Sequence, residues 1–268
     1  MHPIEQLRYV ARASGADARL LVEEAASALQ IFGRDPAGML TGCRRLLTRQ
    51  PAVGPLWWMC TRLLLSGDSR AESRLLLDEF RADRTSRCLS ESLSDDAVVG
   101  FAGWPDVIVD SVGRRGGCSA LVVDVDGLGP AVVRRLERAE IEAESVDGAK
   151  MAGLVAEVDL VLLEAAAAGP AAALVDVGSL ALAATARAVG KPTWLVVPLG
   201  CYLPELYWQA IVERTAKPAL PAFLAANEVI GFGLVDQILR PTGSYATGQT
   251  ASLAADCAMA PELLVEVR

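Results

Sequence analysis

The fold class of this chain is decided by residues 158–198, which read VDLVLLEAAAAGPAAALVDVGSLALAATARAVGKPTWLVVP. Residues 160–163 and 193–197 are apolar runs too short for helices and too apolar for a half-exposed sheet, which predicts central parallel strands. After an irregular apolar turn, residues 180–189 predict a helix that ends at Gly190. This unit is a right-handed crossover whose helix begins at Gly178 and Ser179, at the sheet edge where small anions are commonly held.

Further apolar runs alternate with helical stretches from residue 95 onward and predict a doubly wound, mainly parallel sheet of the α/β class. They lie at residues 97–101, 119–123, 142–146 and, as a final strand with its turns, within 227–241. The preceding residues have apolar positions at three-to-four spacing and predict helices. These are expected near residues 4–13, 16–32, 36–49, 55–66 and 69–92. We therefore predict a helical N-terminal domain (1–92) and a Rossmann-like domain (93–268), whose tail from residue 242 is loosely held until residues 261–267.

Composition excludes several classes of function. The formal net charge of −8 would on average repel a nucleic-acid backbone. No leader-like segment or long apolar run indicates export or membrane insertion, and scattered cysteines indicate reduced thiols in the cytoplasm. Because His2 is the only histidine, catalytic triads and most zinc sites are not expected. We predict no cofactor.

Several motifs, in this order, resemble a known family. They are TRQPAVGPLWW (48–58), DDAVVGFAGWPDVIVDSV (95–112), CSALVVDVDGLGP (118–130), EVDLVLLEA (157–165), VDVGSLALAATARAVGKPTWLVVP (175–198) and NEVIGFGLVDQILRPTG (227–243). The series resembles the family that joins the alpha, beta and delta subunits of translation initiation factor 2B with ribose-1,5-bisphosphate isomerase and methylthioribose-1-phosphate isomerase. The resemblance implies a Rossmann-like C-terminal domain, a helical domain that helps to cover the site, and a homodimer formed through the C-terminal domains.

The chain departs from this family at the positions that carry its chemistry. The resemblance implies a cysteine in the loop after the first strand, but residues 100–106 read GFAGWPD. Where the family has a Gly-Ala-Asp tripeptide, this chain reads Glu164-Ala165-Ala166, so the aspartate is absent unless Glu164 replaces it. Val175-Asp176 stands in place of an Asn-Lys pair. Residues 124–127, DVDG, replace Glu-Ser-Arg-Pro. These changes remove proton-transfer groups and cations, and the added carboxylates would repel phosphate.

Asp124 and Asp126 follow a predicted strand and could together hold Mg²⁺. The alternative is a polar turn with Asp126 near the cap of the next helix, from about Gly129, which we prefer because no suitable lysine or second acidic pair follows. We predict no metal site. Cys201 has no histidine to activate its thiol, so we interpret it as a small buried residue.

A phosphorylated sugar or nucleotide is the ligand that the crevice would hold, and its lining is predicted to come from the glycine-rich turns, with Lys191 as a cation at the sheet edge. The candidate ligand-binding residues are Gly100, Gly103, Trp104, Asp126, Gly127, Asp176, Gly178, Ser179 and Lys191. Trp104 could instead fill the space of the sugar phosphate. We therefore predict a non-catalytic, dimeric ligand-sensing or protein-interaction module. The alternative is a sugar-phosphate aldose–ketose isomerase that uses Glu164 or Asp124 as its acid.

Overall fold

The computed structural model describes residues 18–125, 127–216 and 225–266. The helix expected at residues 4–13 lies outside them. From residue 18 to the first strand, the described residues form five α-helices, namely α1 Ala18–Leu29, α2 Pro36–Arg49, α3 Gly54–Leu65, α4 Ser69–Arg81 and α5 Thr85–Ser92. The start of α2 follows from its sequence, because Asp35 accepts a hydrogen bond from the Gly38 amide (2.9 Å) and Pro36 occupies the first turn.

The single helix predicted over residues 69–92 is wrong, because α4 and α5 are separate. Between them, the Asp83 carboxylate accepts hydrogen bonds from the Thr85 amide (3.0 Å) and hydroxyl (2.7 Å). A side chain that binds the backbone in this way competes with helix continuation and starts a new helix. The helical spacing of the apolar residues continues through this break, so the pattern did not reveal the break.

The remaining described elements form one mixed sheet with helices on both faces. The strands are β1 Val98–Ala102, β2 Ser119–Asp124, β3 Glu142–Asp147, β4 Leu160–Ala168, β5 Ala172–Asp176, β6 Thr193–Val196, β7 Asn227–Gly231, β8 Gln237–Arg240 and β9 Gly243–Ala246. The helices are α6 Asp106–Arg115, α7 Gly129–Glu137, α8 Met151–Glu157, α9 Ser179–Val189 and α10 Glu205–Thr215. The main path runs β3-β2-β1-β4-β6-β8-β9, and all its pairings except β8–β9 are parallel. The predicted mainly parallel α/β fold is confirmed.

The segment predicted to be an irregular turn after residue 163 is instead an antiparallel hairpin. Strand β4 continues to Ala168, turns at Gly169, and returns as β5, which pairs antiparallel with β4 and with β7. A side chain at Gly169 could not be accommodated, because its Cβ would lie 2.4 Å from the Trp208 ring. Likewise, residues 227–241 contain two strands, β7 and β8, where one was predicted.

The tail is held more firmly than predicted. Strand β9 pairs with β8, and the Asp256 carboxylate forms an ion pair with Arg240 at 2.6 Å. Both side chains are almost fully buried, at 7% and 8% exposure. Arg240 also lies over the Tyr202 ring, 4.5 Å from its centroid. These contacts anchor residues 254–256 against the sheet.

The apolar core of the first helices is completed by residues from the end of the chain. Trp57 and Trp58, adjacent in α3, are both buried: Trp57 packs on Tyr207 of α10 and Trp58 on Phe80. Ala260 and Leu263 belong to the same cluster. The Tyr207 hydroxyl lies 2.9 Å from the Thr61 hydroxyl and accepts a hydrogen bond from the Ala260 amide (2.7 Å). The helical region is therefore packed directly onto α10 and the tail.

Candidate functional site

The parallel strands end at one edge of the sheet, called here the carboxyl edge, where the predicted site residues were expected. Register places Ala102 of β1 beside Val123 of β2, and Glu164 of β4 beside Val196 of β6. The turns that follow these strands lead into α6, α7 and the loop at residues 198–202. In open α/β sheets, ligands bind in the crevice outside this edge.

Glu164 caps the first turn of α6. Its Oε2 accepts a hydrogen bond from the Ile108 amide at 3.0 Å, so a protein carboxylate occupies this helix N-terminus. Glu164 is half-buried. Desolvation raises the pKa of this carboxyl group to about 8; the Ile108 amide opposes the rise, and the negative charges of Asp106 and Asp176 add to it. The carboxyl group is therefore largely protonated at neutral pH.

Asp176 fills the turn after β1. Gly103 has φ +75°, and a Cβ on it would lie 2.4 Å from Asp176 Oδ2, so glycine is needed for both conformation and space. The Trp104 amide donates to the same oxygen at 3.2 Å. The Trp104 indole N–H donates to Asp106 at 3.0 Å, and its ring lies under Arg135, 5.8 Å from the guanidinium carbon. The structure therefore brings the predicted residues Gly103, Trp104 and Asp176 together. The contacts that hold them there are the ones that they make with one another.

Asp124 caps the turn that precedes α7. Its Oδ1 accepts hydrogen bonds from the amides of Gly127 (2.7 Å) and Gly129 (3.3 Å), and Gly127 has φ +83°. These hydrogen bonds account for Asp124 without a metal ion. The capping residue that the sequence predicted is Asp126, which lies outside the described residues. Within the described parts of the chain, no cluster of three or more His, Cys, Asp and Glu side chains could hold a metal ion.

A carboxylate is also bound at the start of α9. Gly178 has φ +90° and precedes the buried Ser179, and the Leu180 amide donates to Glu228 Oε2 of β7 at 2.9 Å. A Cβ on Gly178 would lie 2.8 Å from Val125, so the glycine allows the β2–α7 turn to pack against this helix. At the predicted anion site, the Leu180 amide therefore already donates its hydrogen bond to an acidic side chain of the protein.

The loop after β6 completes the carboxyl edge. The Leu199 amide donates to Asp83 at 3.2 Å, and the amides of Gly200 and Tyr202 both donate to Asp256 at 2.9 Å. Helix α3 covers this loop, because a Cβ on Gly54 would lie 3.1 Å from the Cys201 Cα. Cys201 is buried, and desolvation raises the pKa of its thiol well above the usual value, so the thiol stays protonated.

Two candidate residues lie away from these turns. Lys191 follows α9 and precedes β6, which places it at the opposite edge of the sheet from Gly178. Gly100 lies inside β1, where a Cβ would approach Val158 to 3.0 Å, so its role is close packing of a strand against α8. The structure does not bring Lys191 to the carboxyl edge.

Sequence reasoning missed the carboxylates that arrive from distant segments. Asp83, Glu228 and Asp256 each bind amides of turns from which they are separated by at least 48 residues. No local pattern marks such partners. Asp106 was also missed, but the sequence does carry a signal for it. An acidic residue directly after Pro105, at the start of a helix, is typical of a first helical turn.

The fold is that of the subunits of translation initiation factor eIF2B. The chain is similar to eIF-2B from Pyrococcus horikoshii OT3 (TM-score 0.76, 13% identity, 91% of this chain and 96% of that chain covered). It is also similar to eIF2B beta from Chaetomium thermophilum (TM-score 0.72, 14% identity, 99% and 93% covered). A third likeness is to the tetrameric eIF2B-beta2-delta2 complex of C. thermophilum (TM-score 0.69, 13% identity, 93% and 92% covered).

Neither a protein-family model nor a curated protein sequence matches the chain. The resemblance inferred from the motifs is thus confirmed by three-dimensional structure, at the level of the fold. In the described residues, the helices are all too short or too polar to cross a membrane.

Proposed function

We propose that this chain, which has the fold of the eIF2B subunits, is a non-catalytic protein-interaction module that works as a homodimer. The observation that supports it is the occupation of the carboxyl edge by the chain's own carboxylates. Glu164, Asp124, Glu228 and Asp256 accept the backbone N–H groups that a phosphorylated ligand would need. A phosphate placed there would have to displace these side chains from the amides, and those of them that are ionised would repel it.

The cations near this edge do not offset the repulsion between a phosphate and these carboxylates. Arg135 is already bound to Asp106 at 2.5 Å and to Asp110 at 2.7 Å. Lys150 is exposed on the turn after β3, where Asp147 accepts a hydrogen bond from the Ala149 amide (2.8 Å). Partners in this proposal are therefore proteins, including a second copy of the chain, as the assembly of eIF2B beta and delta subunits suggests.

The experiment is to incubate the protein at high concentration with ribose-1,5-bisphosphate and, separately, methylthioribose-1-phosphate, and to follow ketose formation. We expect no turnover and no thermal stabilisation by either compound. In the variant Glu228→Ala the Leu180 amide is freed, so weak stabilisation by ribose-1,5-bisphosphate should appear. Stabilisation of the unaltered protein would contradict the proposal.

An aldose–ketose isomerase is the second candidate, and one observation favours it. Glu164 is half-buried at the functional edge with a pKa raised to about 8, which suits a general acid or base near neutral pH. This candidate requires turnover that disappears in Glu164→Gln and persists in Glu157→Gln, a change at an exposed position at the end of α8.

A further inference from the structure

A cleft of about 390 Å³ lies between α6 and α7, in the helical layer over one face of the sheet. Its floor is apolar and consists of the buried side chains of Val109 and Leu136. Gly113 and Ala139 also line it and lie in contact with each other, because a Cβ on Gly113 would lie 3.3 Å from the Ala139 Cβ. Both residues are small, so they take up little of the cleft.

The rim of the cleft carries one uncommitted positive charge. Arg135 is held by Asp106 and Asp110, whereas the Arg114 side chain forms no hydrogen bond or ion pair with any residue that the structure describes. Arg114 is exposed in the last turn of α6, so its guanidinium group is accessible. It also borders a second cleft of about 300 Å³.

The other arginines of that second cleft are already paired. Arg87 binds Glu91 at 2.7 Å, and Arg115 binds Asp95 at 2.5 Å. Arg114 is therefore the lining cation that remains available to a ligand in either cleft, within the described ranges. A mostly apolar cleft with few polar groups is the usual character of a small-molecule site.

We propose that the α6–α7 cleft binds a small amphipathic carboxylate. Its apolar body lies on Val109 and Leu136, and its carboxylate is bound by the Arg114 guanidinium group. A planar monoanion matches the two parallel N–H donors of arginine. A dianionic phosphate is disfavoured because the Asp110 side chain, 55% exposed, lies on the same rim. A free organic acid and the C-terminal carboxylate of a peptide share this chemistry.

The test is an NMR titration of the full ¹⁵N-labelled chain with hexanoate, and with hexanamide as the uncharged analogue. Hexanoate should shift the amide signals of Gly113 and Ala139 in a saturable way, and hexanamide should bind about tenfold more weakly. Arg114→Ala should weaken hexanoate binding by about the same factor, and Ala139→Leu should abolish it by filling the cleft. Arg138→Ala, which removes a neighbouring exposed charge outside the lining, is the matched control.

Each outcome has a defined meaning. Equal binding of hexanoate and hexanamide, or unchanged affinity in Arg114→Ala, would overturn the proposal, as would the absence of any saturable shift. Unchanged melting temperatures of the variants would confirm that lost binding is not lost folding. N-acetyl-alanyl-leucine distinguishes the two sources: tighter binding than hexanoate supports a peptide C-terminus, and weaker binding supports a free acid. The site lies away from the carboxyl edge, so its test is independent of the proposed function.

Discussion

At the scale of single residues, Glu164 links the electrostatics of the carboxyl edge to stability. Its folded-state pKa of about 8 exceeds the ordinary value of 4.5. The folded protein therefore holds this proton more tightly than the unfolded chain does. The associated stability is fully present below about pH 4.5 and is lost as the pH rises towards 8.

Glu164→Gln should remove this pH dependence. Glutamine cannot ionise, yet its side-chain oxygen still accepts the Ile108 amide. Urea unfolding at pH 5, 7 and 9 should show that the variant retains on the order of 2 kcal/mol more of its stability at pH 9 than the unaltered protein does. Glu157→Gln, at an exposed position, is the control for the charge change. Parallel pH profiles for Glu164→Gln and the unaltered chain would show that Glu164 is ionised throughout.

At the scale of elements, the turn after β1 depends on a glycine for two separable reasons. Gly103→Ala should destabilise the protein by about 2–3 kcal/mol, because it combines an unfavourable positive φ with a contact against Asp176. Gly190→Ala, with φ +75° and ψ +25° at the end of α9 and no atom within 4 Å of the new Cβ, carries only the conformational cost of about 1 kcal/mol. Denaturant unfolding of both variants gives the difference. Asp176→Ala should partly rescue Gly103→Ala and leave Gly190→Ala unchanged; equal costs for the two glycines would refute this account.

The tail offers a second prediction at this scale. Asp256→Ala leaves the Arg240 guanidinium buried without its ion pair and frees the amides of Gly200 and Tyr202, so it should cost about 3–5 kcal/mol. Limited proteolysis should then cut residues 247–258 early. Arg187→Ala breaks the exposed Arg187–Asp236 pair and should cost less than about 1 kcal/mol. Similar losses in the two variants would mean that burial does not determine the strength of the Arg240–Asp256 pair.

The extent to which the elements were predictable depends on how local their determinants are. The parallel strands were found because burial on both faces makes them continuous apolar runs, as at residues 160–163. Strand β5 was missed because its alanines carry no β-branched signature, and the hairpin is closed by Trp208, far along the chain. Within the candidate site, a contact such as that of the Gly127 amide with Asp124 joins residues three positions apart, so it lies inside one turn that the sequence marks. The hydrogen bond from the Leu199 amide to Asp83 joins residues 116 positions apart, so no local sequence pattern predicts it.

At the scale of the whole molecule, the proposed homodimer gives a direct prediction. Light scattering at micromolar concentration should give twice the 28.3 kDa mass of one chain. Dilution towards nanomolar concentration should then lower the mass, which separates a specific dimer from irreversible aggregation. A mass of one chain at micromolar concentration would contradict the dimeric part of the proposed function without affecting the α6–α7 cleft.

The shared core of α3, α10 and residues 260–263 has a consequence for biosynthesis. Trp57 and Thr61 are translated roughly two hundred residues before Ala260 and Leu263, the side chains and amides that cover them. Until the ribosome has synthesised residues 260–263, part of the apolar surface of the early helices stays exposed. Such a surface is a binding site for chaperones. Premature termination anywhere upstream of Ala260 would leave that surface permanently uncovered, so such fragments are expected to be cleared by proteases.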